Sequence, residues 1–171
     1  MLEVSLDYAA NLRFLREVDM KDWLEHTVQV EVPCPIDEVW SLWENIELMP
    51  NWMKWIDSVS IQPDEPELSV WKLASGSLEF SWQSRIVKQI HHQIIQWESV
   101  DGLPNRGAIR FYDRGTDGSI VKLTVAYSVP MIIRQLMDGL SLGSVVEGAL
   151  QADMERFKVY ALQQNSQGES K

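Results

Sequence analysis

Four of the chain's eight tryptophans fall between Val32 and Trp55, in VPCPIDEVWSLWENIELMPNWMKW. Four indoles in so short a stretch cannot bury one another, so a large concave surface elsewhere in the chain has to receive them. Val32-Pro33-Cys34-Pro35 reads as a strand end followed by a kink, because proline cannot donate to a sheet and disfavours helix in the residue before it. Ile36, Val39, Trp40 and Trp43 then recur at the i, i+3, i+4, i+7 spacing of one apolar helix face. Asp37 and Glu38 occupy the first turn, where the helix dipole favours negative charge, and Pro35 fits near the first helical position. Pro50 breaks a second short helix, and Trp52 and Trp55 lead into a new strand.

The surface that receives them is a sheet. His26 to Val32 alternates, with Val28, Val30 and Val32 on one face and Thr27, Gln29 and Glu31 on the other. Further strands are expected at 55–61, 68–74, 78–88, 94–99, 108–112 and 120–129. Turn residues divide them: the acidic stretch from Pro63 to Glu67, Ser75-Gly76-Ser77, His91-His92, a loop from Gly102 to Gly107, and Arg114 to Gly118. Pro130 ends the sheet. After it, Ile133, Leu136, Met137, Leu140, Leu142, Val146, Ala149, Leu150, Met154, Phe157 and Ala161 keep a helical period, with a kink expected at Gly139 and Gly143.

The reading is an α+β fold. A curved antiparallel sheet of six to seven strands wraps over one long C-terminal helix, with two short helices after the first strand. At 171 residues the chain fits one domain, since domains commonly run to about 100–150 residues. Residues 26–162 are assigned to it. Residues 1–25 form an N-terminal extension, helical or partly disordered, in which Leu12, Leu15 and Val18 share a face and Met20 is an alternative start; 163–171 read as a disordered tail.

Alternation assigns the strand faces. Phe80, Trp82, Ser84 and Ile86 fall on one side of their strand, as do Ile95 with Trp97, Ile109 with Phe111, and Val121, Leu123, Val125, Tyr127 and Val129 on theirs. One helix covers only a narrow stripe of so broad a face, so this aromatic-rich side either fills a core or walls a cavity. Arg85, Glu98 and Arg110 fall on the outer face, where cross-strand ion pairing accounts for them. Asp153 lies in the long helix near Ala149 and Phe157; solvent-facing placement is expected, and an inward position would raise its pKa.

Charge and motif content narrow the function. A net charge of −10 argues against nucleic acid and against docking on anionic lipid. A lone cysteine, Cys34, excludes an internal disulfide and reads as a packing residue; with no long apolar run in the first 30 residues, a cytoplasmic location is expected. GxGxxG, GxxxxGK[ST] and HExxH are absent. His26, His91 and His92 are too few and too scattered to promise a metal site, and His91-His92 read as a solvated turn. No metal and no cofactor is expected.

The segment VPCPIDEVWSLWENIELMPNWMKWIDSVSI resembles the opening of START-like (SRPBCC) proteins, with Val39-Trp40 and Met49-Pro50-Asn51-Trp52 at the positions of that family's helix and turn. EFSWQSRI, IIQWESVDGLPNRGAIRFYD and VKLTVAYSVP resemble the polyketide cyclase/dehydrase and coenzyme-Q-binding branch, in its small cyanobacterial and plastid form. The resemblance covers about residues 26–162. It implies a helix-grip fold with an apolar pocket between sheet and C-terminal helix, and a hydrophobic small molecule as partner: a lipid, a prenylquinone or other isoprenoid, or a polyketide. On that basis Phe80, Trp82, Trp97, Phe111 and Tyr127 are expected to wall the pocket. Leu142, Val146, Leu150 and Phe157 would form its lid. Trp40 and Trp43 would face inward, with Trp52, Trp55 and the Gly102–Gly107 loop near the mouth. Binding and sheltering or transport is the expected function, without a stable membrane anchor though transient membrane contact is compatible with it. A cyclase or dehydratase is the first alternative and a ligand-free interaction module the second; no polar catalytic set maps onto these residues.

Overall fold

A computed structural model describes residues 23–129 and 141–168. The elements run β1 (Leu24–Val32), α1 (Ile36–Glu44), a 3-10 helix (Ile46–Asn51), β2 (Ile56–Gln62), β3 (Glu65–Ser75), β4 (Leu78–Ile90), β5 (Ile94–Gly102), β6 (Asn105–Asp113), β7 (Ser119–Tyr127) and α2 (Leu142–Gly168). Seven strands form one antiparallel sheet in the order β1-β7-β6-β5-β4-β3-β2. Among the described residues only the β1–β7 pairing joins strands far apart in sequence; the others are sequential hairpins.

Alternation produces the sheet's two faces as expected: Val28, Val30 and Val32 are buried and Gln29 and Glu31 exposed. Register shifts interrupt the β4–β5 ladder between Gln83 and Ser84 and between Ile86 and Lys88, and the β2–β3 ladder at two further points. Such bulges bend a strand and increase its twist. They curl the sheet over α2, which lies chiefly along β1.

α1 forms as its spacing demands. Ile36, Val39, Trp40 and Trp43 are buried, Asp37 and Glu38 lie in the first turn, and Pro35 sits at the N-cap, its carbonyl accepting from the Val39 N–H at 3.2 Å. Trp40 stands edge-on to Phe111 with centroids 5.1 Å apart. Trp43, Trp52 and Phe157 meet in one cluster at centroid distances of 4.9 to 5.1 Å. The Nε1–H groups of Trp40, Trp43 and Trp52 are buried without an acceptor among the described residues. Each such donor costs about 1–3 kcal/mol. Burying about 200 Å² of indole contributes on the order of 5 kcal/mol, so apolar burial outweighs the orphaned N–H groups and holds the plug in place.

Several expected boundaries shift. β3 begins at Glu65, so most of the acidic loop is a tight turn into strand, and β6 begins at Asn105, which reduces the 102–107 loop to Leu103 and Pro104. Both extensions arise because neighbouring strands offer ladder partners that composition does not reveal. α2 continues to Gly168, through the expected frayed tail. Of the N-terminal extension expected over residues 1–25, Leu24 and Glu25 belong to β1 instead, because they pair with Tyr127 and Ala126; residues 1–22 with the alternative start at Met20, and the apolar positions between Pro130 and Leu140, lie outside the described residues.

Candidate ligand-binding cavity

The curl of the sheet leaves a space of about 320 Å³ between it and α2. Its sheet wall comprises Trp71 and Leu73 of β3, Phe80, Trp82, Ser84 and Ile86 of β4, Ile95 and Trp97 of β5, Asn105 and Ile109 of β6, and Leu123, Val125 and Tyr127 of β7. α2 closes it with Leu142, Val145, Val146, Leu150 and Asp153. Trp43, Ile46, Met49, Met53, Trp55 and Ile56 complete it from the segment between α1 and β2.

The two ends of the sheet differ. At one end α1 covers the β4–β5 turn, where Trp40 meets both His91 and Phe111. At the other lie the start of β1, the β3–β4 hairpin, the β5–β6 turn and the first turn of α2. Among the described residues, wall residues at that end such as Leu78, Leu103 and Leu142 are partly exposed.

Of the residues expected to bind a ligand, Trp43, Phe80, Trp82, Trp97, Tyr127, Leu142, Val146 and Leu150 are brought together on the wall. Trp40, Phe111 and Phe157 are not on it. Their faces point inward, but they lie in packed core, Trp40 and Phe111 under the β4–β5 turn and Phe157 against Trp43 and Trp52. Trp52, expected at the mouth, is buried in that same cluster and touches Tyr160. Trp55 does reach the cavity.

Trp71 was not foreseen. It stands directly opposite Trp82, on the same face. A hairpin turning at Gly76 and Ser77 pairs Trp71 with Trp82, and directly opposed residues share a face; that signal was available in the sequence.

Polar groups on the wall are few and mostly engaged. Trp71 Nε1 donates to Ser69 Oγ at 2.8 Å, and Ser69 Oγ donates to the Ser84 carbonyl at 3.3 Å. Trp97 Nε1 donates to Asn105 Oδ1 at 3.2 Å, while Asn105 Nδ2 donates to the Leu103 carbonyl at 2.8 Å. At the same end the Tyr127 hydroxyl lies 3.1 Å from His26 Nε2, and His26 Nδ1 lies 3.3 Å from Glu147 Oε2. The tautomer with Nδ1–H serves both contacts, donating to Glu147 and accepting the tyrosine O–H. This bridge, buried at His26 and Tyr127 and exposed at Glu147, ties β1 and β7 to α2.

Asp153 faces the cavity rather than solvent, with 5% of its surface exposed. Its Oδ1 accepts from the Lys54 backbone N–H at 3.1 Å and from the Arg156 guanidinium, whose Nε in turn donates to the Trp52 carbonyl at 3.0 Å. Burial raises the Asp153 pKa above the ordinary carboxylate value, and the Lys54 and Arg156 contacts oppose that rise without cancelling it. Solvent placement failed as an expectation because a neutralising guanidinium three residues on makes an inward carboxylate tolerable.

On the outer face Arg85 pairs with Glu65 and Glu67 and stands opposite Glu98 in register, and Arg110 is exposed. Cys34 is buried, and burial pushes its thiol pKa up. The run Gly139-Leu-Ser-Leu-Gly143 has G-x-S-x-G spacing. Ser141 is the residue before α2, and its Oγ accepts from the Ser144 N–H at 3.4 Å, as an N-cap does. Among the described residues no helix is long and apolar enough to cross a membrane.

The chain is similar to a 17.2 kDa protein of Streptomyces lincolnensis from the melC2–rnhH intergenic region, at 22% identity over 77% of this chain and 85% of that one. Among solved structures it is similar to a Thermus thermophilus protein, with a TM-score of 0.67 and 17% identity over 82% of this chain and 98% of the other. It is also similar to the Zhui aromatase/cyclase of a Streptomyces species, with a TM-score of 0.58 and 16% identity over 83% and 94%. The model of the polyketide cyclase/dehydrase and lipid transport family matches residues 32–155, more than half of the sequence. With a seven-stranded sheet gripping a C-terminal helix and that match, the chain belongs to the polyketide cyclase/dehydrase and lipid transport family, within the START-like (SRPBCC) superfamily.

Proposed function

We propose that this protein binds and shelters a hydrophobic small molecule in the cavity between sheet and α2. The observation that carries the reading is the wall itself: about 320 Å³ of space bounded almost wholly by aliphatic and aromatic side chains. That volume is at the lower end of small-molecule pockets, roughly 300–1,000 Å³. An isoprenoid or prenylquinone of about fifteen carbons is the ligand class favoured. Its transfer from water contributes about 12 kcal/mol at about 0.8 kcal/mol per CH₂. With association costs at the small end, about 4 kcal/mol, some 8 kcal/mol remain, a micromolar dissociation constant. A longer prenyl tail would extend through the mouth. A cytoplasmic location fits the single, reduced Cys34.

Asp153 favours a second reading, a cyclase or dehydratase acting on a polyketide-like compound, because a carboxyl of raised pKa on an apolar wall can exchange a proton with a bound ligand. One experiment separates the two. The protein is purified from its own host, and bound compounds are identified by native mass spectrometry and organic extraction. Farnesol, a short-chain prenylquinone and an aromatic polyketide precursor are then added in turn. Five of the eight tryptophans line the cavity, so binding is read from tryptophan emission. Ligand recovered unchanged supports sheltering; recovery with the loss of one water supports the enzyme. If no compound co-purifies and none alters emission, both readings fail.

A further inference from the structure

At the closed end, away from the cavity, Asp37, His91 and His92 converge, and their ligand atoms all lie within 4.8 Å of one another. In an extended strand neighbouring histidines would point to opposite faces. Here His92 takes a φ of 58°, a left-handed conformation for which histidine is among the better-suited residues. The turn from Ile90 to Ile94 therefore brings both imidazoles to one side, their centroids 3.7 Å apart and both edge-on to Trp40. Asp37 arrives from the first turn of α1, with Oδ1 2.9 Å from His92 Nε2.

We propose that Asp37, His91 and His92 form a binding site for a first-row divalent cation, Zn²⁺ before Mg²⁺ or Ca²⁺. Two imidazole nitrogens and a carboxylate suit zinc, whereas magnesium and calcium prefer oxygen donors alone. Ligands about 2.1 Å from a tetrahedral zinc stand about 3.4 Å apart, so the widest pair has to close by about 1.4 Å. The backbone is already held: Gln93 N–H donates to the Ile90 carbonyl at 2.9 Å, Phe111 N–H donates to the Gln93 carbonyl at 2.9 Å, and the Trp40–Phe111 contact anchors α1. An exposed His–Asp pair alone is worth about 1 kcal/mol or less and does not call for a second imidazole beside it. The chain's net charge of −10 draws cations to its surface. Three protein ligands leave at least one position for water, and the bound ion would clip α1 to the β4–β5 turn.

Tag-free full-length protein, stripped with a chelator, is titrated with ZnCl₂ by calorimetry, and its thermal midpoint is followed with and without Zn²⁺. One ion per chain, a midpoint raised by Zn²⁺, and at least a tenfold weaker affinity in Asp37→Asn and in His91→Gln/His92→Gln are expected. His91 and Asp37 are exposed, so His91→Gln alone, expected to weaken binding about tenfold or more, serves if the double variant does not fold. Absence of saturable binding, or equal binding by wild type and the variants, would overturn the site.

Discussion

Trp71 and Trp82 face each other across β3 and β4 on the cavity wall, their centroids 5.8 Å apart and their planes 12° from parallel. The two indoles are stacked, and both border the cavity. An aromatic contact of this kind is worth about 0.5–1.5 kcal/mol beyond the area it buries. Trp71→Ala removes it and enlarges a space that already exists, so the expected loss of stability is about 1–3 kcal/mol, below the 3–5 kcal/mol usual for a fully enclosed tryptophan. Urea unfolding with an unchanged denaturant slope checks this.

Gly107 sets the position of a second indole. A Cβ there would lie 2.4 Å from the Thr124 carbonyl oxygen and 2.4 Å from Trp97 Cζ2. The carbonyl belongs to the backbone of β7, so in Gly107→Ala the β6–β7 ladder has to shift locally and the Trp97 ring, held by its hydrogen bond to Asn105, has to move with it. About 1–3 kcal/mol of destabilisation is expected from such overpacking. The apolar-ligand affinity of Gly107→Ala should match that of Trp97→Ala; wild-type affinity in the glycine variant would show that Trp97 does not touch the ligand.

These two tryptophans show what was legible in the sequence. Period-two alternation announces which face a strand residue takes, and it placed Phe80, Trp82, Trp97 and Tyr127 on the wall. It carries no information about depth along the strand. Phe111 has the right face but lies at the end covered by α1, where Trp40 fills the space. Depth follows from which element plugs which end, a tertiary fact. Asp153 was half-legible: Val146, Leu150, Asp153 and Phe157 keep one helical stripe. The acceptable burial of a carboxylate there depends on the Lys54 N–H and the Arg156 guanidinium, one of them 99 residues away. His91 and His92 do lie in the expected turn, and the left-handed residue in it brings to one side two rings that an extended strand would have separated.

Along α2, packing and not helix propensity decides the cost of truncation. Phe157 is fully buried between Trp43 and Trp52, whereas Val159, two residues on, is 55% exposed. Phe157→Ala is expected to cost about 3–5 kcal/mol, a large share of the roughly 5–15 kcal/mol total typical of a domain. Val159→Ala should stay within about 0.5 kcal/mol of wild type. Chemical denaturation of both variants gives the contrast directly, and near-equal losses would mean that the α1 plug does not lean on the helix.

Asp153 makes stability depend on pH in a direction opposite to that of an ordinary salt-bridged carboxylate. Its folded-state pKa is raised, chiefly by burial, so the folded protein holds this proton more tightly than the unfolded chain does. Stability from this site is therefore greatest below the unfolded-state value and falls as the pH rises through the folded one, where the ionised group has to be kept out of water. In Asp153→Asn the side-chain carbonyl can still accept from the Lys54 N–H, and no proton is exchanged. The stability of wild type relative to Asp153→Asn should thus decline as the pH rises above the ordinary carboxylate value and level off once the carboxyl is ionised in both states. A ligand that covers the cavity removes more water from the carboxyl and should push its titration higher still. Paired urea titrations across the acid range, with and without an apolar ligand, read both effects. A difference that grows with rising pH would show that the Arg156 and Lys54 contacts outweigh burial and that Asp153 is held ionised, which would make it a fixed acceptor for a ligand hydroxyl and remove it as a proton donor.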